Sequence, residues 1–252
     1  MSLTLAPSIL AADFLKLEEE LAPLAASSDN VWIHLDIMDG HFVPNLSYGM
    51  PIIEAVRKKY PHFKFDAHLM VTNPDFYLDA FANKNKFNIY NWTMHYEALT
   101  GITYKDNNYG AFYQAQPAAL RETSNRQIED LLQAAKKIYP SVGIALRPHT
   151  PLEVLTKRCL EIVDLILLMS VEPGFAGQKF MPSVLPKLQQ LADLRQKMHA
   201  KWQIQVDGGV NFDTIKQLSS ADNLVVGAAL FKNPPYPNTL QQLANNYATY
   251  HS

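Results

Sequence analysis

At 252 residues the chain fits one large domain or two small ones, a range that includes a single α/β barrel. A hydrophobic fraction of 48% against 18% charged residues supplies a sizeable core, and a net charge of −2 gives no electrostatic case for nucleic acid or an anionic membrane as partner. One cysteine, Cys159, excludes an internal disulfide framework and suits a reducing compartment.

The first residues, MSLTLAPSIL, lack a basic segment followed by a long apolar one, and no apolar run reaches the length of a membrane span. The expected location is therefore the cytoplasm. Short apolar or β-branched runs then alternate with helical patterns along the chain. The expected strands are 4–10, 31–38, 63–71, 87–96, 142–147, 164–171, 203–208 and 223–229. From about Asp13, a first helix would place Phe14, Leu17, Leu21 and Leu24 on one stripe. Asn73-Pro74-Asp75 reads as N-cap, proline at the first helical position and an acid in the first turn. Thr150-Pro151-Leu152-Glu153 reads as a capping box opening a further helix.

Eight near-continuous apolar strands, each followed by a helical segment, argue for parallel strands covered by helices. No G-x-G-x-x-G follows the first strand, which weakens the open dinucleotide-binding sheet and favours a single (β/α)8 TIM barrel over 1–252. Residues 99–125 break the rhythm. They are rich in Asn, Tyr and Gln, without clear periodicity, and are expected to form an extended insertion loop after strand 4 on the active-site face.

Candidate chemistry begins with VWIHLDIMDGHFVPN at 31–45. Side chains alternate along a strand, so His34 and Asp36 share a face, as do Asp66 and His68. Inward polar residues near the C-terminal end of a barrel strand read as catalytic, and strand seven ends Gln-Val-Asp-Gly-Gly with Asp207 at its tip. His34, Asp36, His68 and Asp207 could bind one divalent ion such as Zn²⁺, Mn²⁺, Fe²⁺ or Co²⁺. A His-x-Asp on a strand can equally be a hydrogen-bonded core pair. Asp66 could cap a turn and stays outside the candidate set. His95 and Glu97 are suggestive, but such a pair taken alone is more often structural than functional.

Strand six runs into SVEPGFAGQKF, where Gly174, Phe175, Ala176 and Gly177 form a turn whose amides can converge on an anion. Gly208 and Gly209 after Asp207 allow close approach of a ligand, and Gly227 and Ala228 after strand eight can present further amides. The bland alternative is that these glycines only permit tight turns. Met38, Met70 and Met169 lie near these residues, either as core filler or as an apolar wall of the site.

Taken in order, six blocks resemble the ribulose-phosphate 3-epimerase family. They are PSILAAD (7–13), HLDIMDGHFVPN (34–45), AHLMVTNP (67–74), MSVEPGFAGQKF (169–180), VDGGVN (206–211) and VVGAALF (225–231). The resemblance implies that His34, Asp36, His68 and Asp207 hold one divalent metal ion, with Asp36 and Asp207 as paired acid/base carboxylates. It implies a substrate contact from Ser8 and phosphate binding by the turn at 174–177 together with Gly227 and Ala228. It further implies epimerisation at C3 of D-ribulose 5-phosphate to D-xylulose 5-phosphate in the pentose phosphate pathway, by a homo-oligomer, dimer or hexamer. The sequence departs from the common family pattern at Ala11, Arg147, Ala176 and Ala228, and in the insertion. A hexulose 6-phosphate such as D-allulose 6-phosphate is thus a second candidate substrate. A non-catalytic sugar-phosphate-binding protein is a third reading, from a different class.

Overall fold

The computed structural model describes residues 3–27, 31–101 and 116–251. Eight strands run Thr4–Pro7 (β1), Trp32–Met38 (β2), Lys64–Met70 (β3), Ile89–His95 (β4), Ser141–Leu146 (β5), Leu165–Met169 (β6), Gln203–Asp207 (β7) and Asn223–Val226 (β8). All seven ladders are parallel, in the order β1-β8-β7-β6-β5-β4-β3-β2. A parallel bridge from Ser8 to His34 brings β1 beside β2 and closes the ring. The result is a TIM barrel, and every expected strand is present, most with trimmed ends and the fifth shifted one residue earlier to Ser141–Leu146.

The alternation read from the sequence sorts the strand residues. On β2, Ile33, Leu35 and Ile37 join the large apolar layer between strands and helices, as do Phe65, Ala67 and Leu69 on β3. Their neighbours His34, Asp36, Asp66 and His68 belong to the barrel interior, where their polar atoms lie 2.8–3.3 Å from one another. The interior is apolar on the β5–β6 side, with Ala145, Leu165, Leu167 and Met169 packed together. Towards β2, β3, β4, β7 and β8 it is polar, which leaves room for chemistry beside a packed wall.

Helices Leu17–Ser27 (α1), Met50–Lys59 (α2), Pro74–Ala80 (α3), Ala118–Ala135 (α4), Lys157–Ile162 (α5), Leu185–Met198 (α6), Ala228–Phe231 (α7) and Tyr236–His251 (α8) complete the described elements. After β7 the connection is a single 3₁₀ turn, Thr214–Gln217. No described helix is long and apolar enough to cross a membrane.

Three local expectations change. Asp13 caps a 3₁₀ turn rather than α1 itself, so Phe14 leaves the buried stripe formed by Leu21 and Leu24 and is 46% exposed. The capping box at 150–153 does not open a helix. The Thr150 hydroxyl is taken by Glu97, Leu152–Val154 make a 3₁₀ turn, and the cap falls instead to Thr156, whose side chain accepts from Cys159 N. The region expected as loop is helical from Ala118, because Ser124, Ile128, Leu132 and Ala135 give one buried face of α4. Residues 102–115 of the expected insertion lie outside the described residues.

Candidate active site

Consecutive strands in register place His34, Asp36, His68 and Asp207 around one point near the C-terminal end of the barrel. One ligand atom from each lies within 4.8 Å of the others. His34 turns Nε2 to this point and His68 turns Nδ1, the two nitrogens being 3.3 Å apart. Asp36 Oδ1 is 3.5 Å from the first and 3.3 Å from the second, while Asp207 Oδ2 is 3.9 and 3.6 Å from them. Four donors about 2.0–2.2 Å from a central Zn²⁺-like ion in a tetrahedron lie roughly 3.3–3.6 Å apart. The spacing therefore fits a single divalent ion, and the mix of imidazole and carboxylate fits several metals.

The remaining ring nitrogens explain why those two face inwards. His34 Nδ1 is 2.8 Å from Asp66 Oδ2, and Asp66 is itself held by Asn91 Nδ2 at 2.6 Å and Gln205 Nε2 at 2.7 Å. His68 Nε2 is 2.8 Å from His95 Nε2. A carboxylate fixing the far nitrogen of a ligating imidazole is the usual arrangement around bound metals. Asp66, absent from the candidate set, thus belongs to the site. Its place on the His68 face was legible, whereas its depth in the barrel was not.

Each carboxylate keeps a second oxygen away from the centre. Asp36 Oδ2 accepts from the Ser8 hydroxyl at 2.5 Å, a contact delivered by the same bridge that closes the barrel. Burial works against the charge of Asp36, but His34 and His68 outweigh it and hold the carboxyl well below the usual range. For Asp207 the balance reverses. Burial and then the charge of Asp36 push it up to about 7. Burial also opposes a charged His34, yet Asp36 and Asp66 raise it well above the ordinary imidazole value. Burial lowers His68. Two acids in one site are thus driven apart in acidity, a pattern typical of acid/base pairs.

Above the four ligand residues opens a cavity of about 260 Å³ lined by Ser8, Asp36 and Asp207. Its walls include Met38, Met70 and Met169, and its rim carries Gly174, Phe175, Ala176 and Gly177 together with Gly208, Gly209, Gly227 and Ala228. His34 and His68 lie beneath the floor, fully buried. Apart from His34 and His68, the sequence-predicted site residues all line this one cavity, whose size suits a small metabolite. Gly174 (φ +132°) and Gly177 (φ +75°) occupy the turn positions that favour glycine, and Ala176 is not among the residues with positive φ. The turn is pinned by Asn45 Nδ2 donating to Gly174 O at 2.7 Å. At Gly209 (φ +64°) an added Cβ would lie 2.5 Å from Phe180 N, so the two loops close on each other only with glycine there.

Ser170 was not anticipated. Its hydroxyl donates to Asp207 O at 2.9 Å and Gly208 O at 2.6 Å, fixing the tip of β7 against β6. Arg147, one of the departures, is buried, donates to Phe42 O at 3.0 Å and stacks over the Phe42 ring. It lies behind the cavity wall rather than on its surface.

A barrel whose strand tips combine a two-imidazole, two-carboxylate cluster with glycine-rich loops defines a class of enzymes acting on small anionic substrates. Comparison with known proteins narrows the class. The model of the ribulose-phosphate 3 epimerase family matches residues 4–107 and 102–231. Ribulose-phosphate 3-epimerase of Treponema pallidum is 36% identical over 232 residues, covering 91% of this chain and 92% of that protein. Its namesake in Bacillus subtilis is 35% identical over 229 residues, covering 90% and 91%. Among solved structures, KGPDC from Streptococcus mutans aligns over 100% of both chains with a TM-score of 0.61 at 11% identity, a likeness of fold. The chain belongs to the ribulose-phosphate 3-epimerase family. It is an epimerase acting on carbohydrates, with a sugar phosphate as the substrate class.

Proposed function

We propose that the protein interconverts D-ribulose 5-phosphate and D-xylulose 5-phosphate, with Asp36 and Asp207 as the proton-transferring groups. The observation that carries this reading is the pairing of two carboxylates at the tips of β2 and β7 on one small cavity. In a 2-keto sugar phosphate the C3 proton is α to the carbonyl, and its removal leaves an enediolate. Inversion requires withdrawal from one face and delivery to the other, hence one base and one acid. Asp36, held well below the usual carboxylate range, enters the reaction ionised, and Asp207, pushed up to about 7, is the member of the pair that can bring a proton to it. On the return reaction the roles exchange.

His34, Asp36, His68 and Asp207 would hold one divalent ion, Zn²⁺, Mn²⁺, Fe²⁺ or Co²⁺, and when bound it supplies Lewis-acid stabilisation of the enediolate charge. Asp36 Oδ1 and Asp207 Oδ2 face the ion's place, which leaves the other oxygen of each acid for proton exchange. Ser8 orients Asp36 by donating to Oδ2 and can turn that hydrogen bond to the substrate instead. The amides of 174–177, 208–209 and 227–228 would receive the phosphate. Met38, Met70 and Met169 keep the reacting carbon away from bulk water.

Within the pentose phosphate pathway this reaction links two ketose pools. A single buried thiol without a disulfide suits the cytoplasm, and the family reading extends to a homo-oligomer, dimer or hexamer, which sedimentation equilibrium measures. The substrate is tested by comparing kcat/KM on D-ribulose 5-phosphate and D-allulose 6-phosphate. A preference for the pentulose is expected, and a preference of about tenfold or more for the hexulose would replace the pentose assignment.

A further inference from the structure

Behind His68 runs a chain of buried polar groups that does not reach the cavity. His68 Nε2 meets His95 Nε2 at 2.8 Å, and His95 Nδ1 meets Glu97 Oε2 at 3.0 Å. Glu97 Oε1 accepts from the backbone N–H of Arg147 at 2.9 Å and from the Thr150 hydroxyl. His68, His95 and Glu97 are all 0% exposed, so water does not supply alternative partners. Although burial opposes its charge, His95 and Arg147 hold the Glu97 carboxyl down to about 2, so it is a carboxylate that can only accept, and this fixes the sense of every bond in the row. A carboxylate accepting there accepts from His95 as well, so His95 carries its hydrogen on Nδ1. Its Nε2 is then a lone pair and accepts from His68 Nε2–H. The lone pair of His68 is thereby left on Nδ1, the nitrogen 3.3 Å from Asp36 Oδ1 at the centre of the site.

We propose that Glu97, acting through His95, is a positioning residue that holds His68 in the one tautomer able to ligate through Nδ1. The inference rests on the reading of His34, Asp36, His68 and Asp207 as metal ligands. It assigns work to His95 and Glu97, which touch neither the cavity nor those of the four ligands other than His68. It also makes the two imidazoles unlike. His34 is fixed directly by the Asp66 carboxylate, whereas His68 is fixed by a carboxylate one ring further away.

The isosteric change Glu97→Gln tests this. Its amide oxygen stays with the two donors at Arg147 and Thr150, so its NH₂ faces His95 Nδ1 and donates. His95 must then carry its hydrogen on Nε2, His68 must accept it, and the His68 hydrogen moves to Nδ1 where the ion would sit. Long-range ¹H–¹⁵N NMR of chelator-treated protein should find His68 as the Nε2–H tautomer in the wild type and as the Nδ1–H tautomer in the variant. Competition with a chromophoric chelator should find Co²⁺ bound about 10–100-fold more weakly by the variant, the usual effect of losing a partner of a ligating histidine. An unchanged tautomer and unchanged Co²⁺ affinity in Glu97→Gln would overturn the proposal while leaving the metal reading intact. Wild-type protein that takes up no Co²⁺ would overturn the metal reading instead. Should the variant fail to fold, the wild type alone decides: His68 found as the Nδ1–H tautomer would overturn the proposal.

Discussion

Asp36 and Asp207 differ in protonation because they differ in neighbours, and that difference can be measured. Asp36→Asn and Asp207→Asn should each lower kcat by at least about 10²–10⁴-fold, the usual share of general acid–base catalysis, with binding of inorganic phosphate retained. Turnover near wild type in either variant would remove that residue from the proton path. Stability offers a second readout. The folded Asp207 holds its proton up to about 7, whereas the unfolded chain releases it near the ordinary value of 3.8. Between these values the folded state binds more protons, so this group's contribution is full at low pH and is lost as pH rises through about 7. In metal-free protein, Asp207→Asn should therefore gain stability over the wild type between pH 4 and pH 7, as urea titrations at the two pH values would register. A difference independent of pH would contradict the assignment. At this scale the sequence was informative wherever strand alternation applied: His34 with Asp36, and His68 through its matched block, fell on the inner face as read. Asp66 obeys the same alternation, but only the register Asp36 opposite His68 and His34 opposite Asp66 reveals that it sits level with His34, one layer below Asp36 and His68. Ser170 gave no signal, since its partners are backbone oxygens of β7 and its loop, 37 and 38 residues on.

Among the elements, the strands were legible and the connections less so. Eight apolar runs bounded by turn residues specify eight strands, because a parallel strand covered on its outer face needs unbroken apolar character. Helix starts depend on which hydroxyl is free to cap, and that is a tertiary matter. Thr150 has the sequence of a cap, yet Glu97 from the end of β4 claims it, and the helix waits for Thr156. The start of α4 was missed for a related reason: its buried positions, Ser124, Ile128, Leu132 and Ala135, include a serine and an alanine that blur the apolar period. The glycine-rich loops proposed to receive the phosphate were legible as turns through their glycines, and one of them carries a sharp prediction. Gly209→Ala combines a positive φ with a Cβ driven into the Phe180 backbone, so it should cost at least about 1 kcal/mol of stability, and it should weaken phosphate binding as the loop moves. Thermal melts with and without inorganic phosphate would measure both. A variant with wild-type Tm and undiminished phosphate stabilisation would show that the contact is not needed.

Across the whole molecule, closure of the barrel and assembly of the site are one event. The Ser8–His34 bridge is the seam of the ring, and the residues it joins are the serine that holds Asp36 and an imidazole of the candidate centre. Opening the seam would therefore separate Ser8 from Asp36 along with β1 from β2. Cys159 reports on the packing of the outer layer, being 3% exposed with its thiol pushed up to about 12 by burial and then by Glu129. It should resist a thiol reagent at pH 8 in native protein and react fully in denaturant, and rapid labelling of the native protein would contradict the burial of this thiol. The most direct test of the account is NMR of the purified protein with D-ribulose 5-phosphate in D₂O, before and after chelation. The expected product is D-xylulose 5-phosphate carrying deuterium at C3, lost on chelation and restored by Mn²⁺ or Zn²⁺. Absence of both product and C3 exchange in the metal-loaded protein would contradict it.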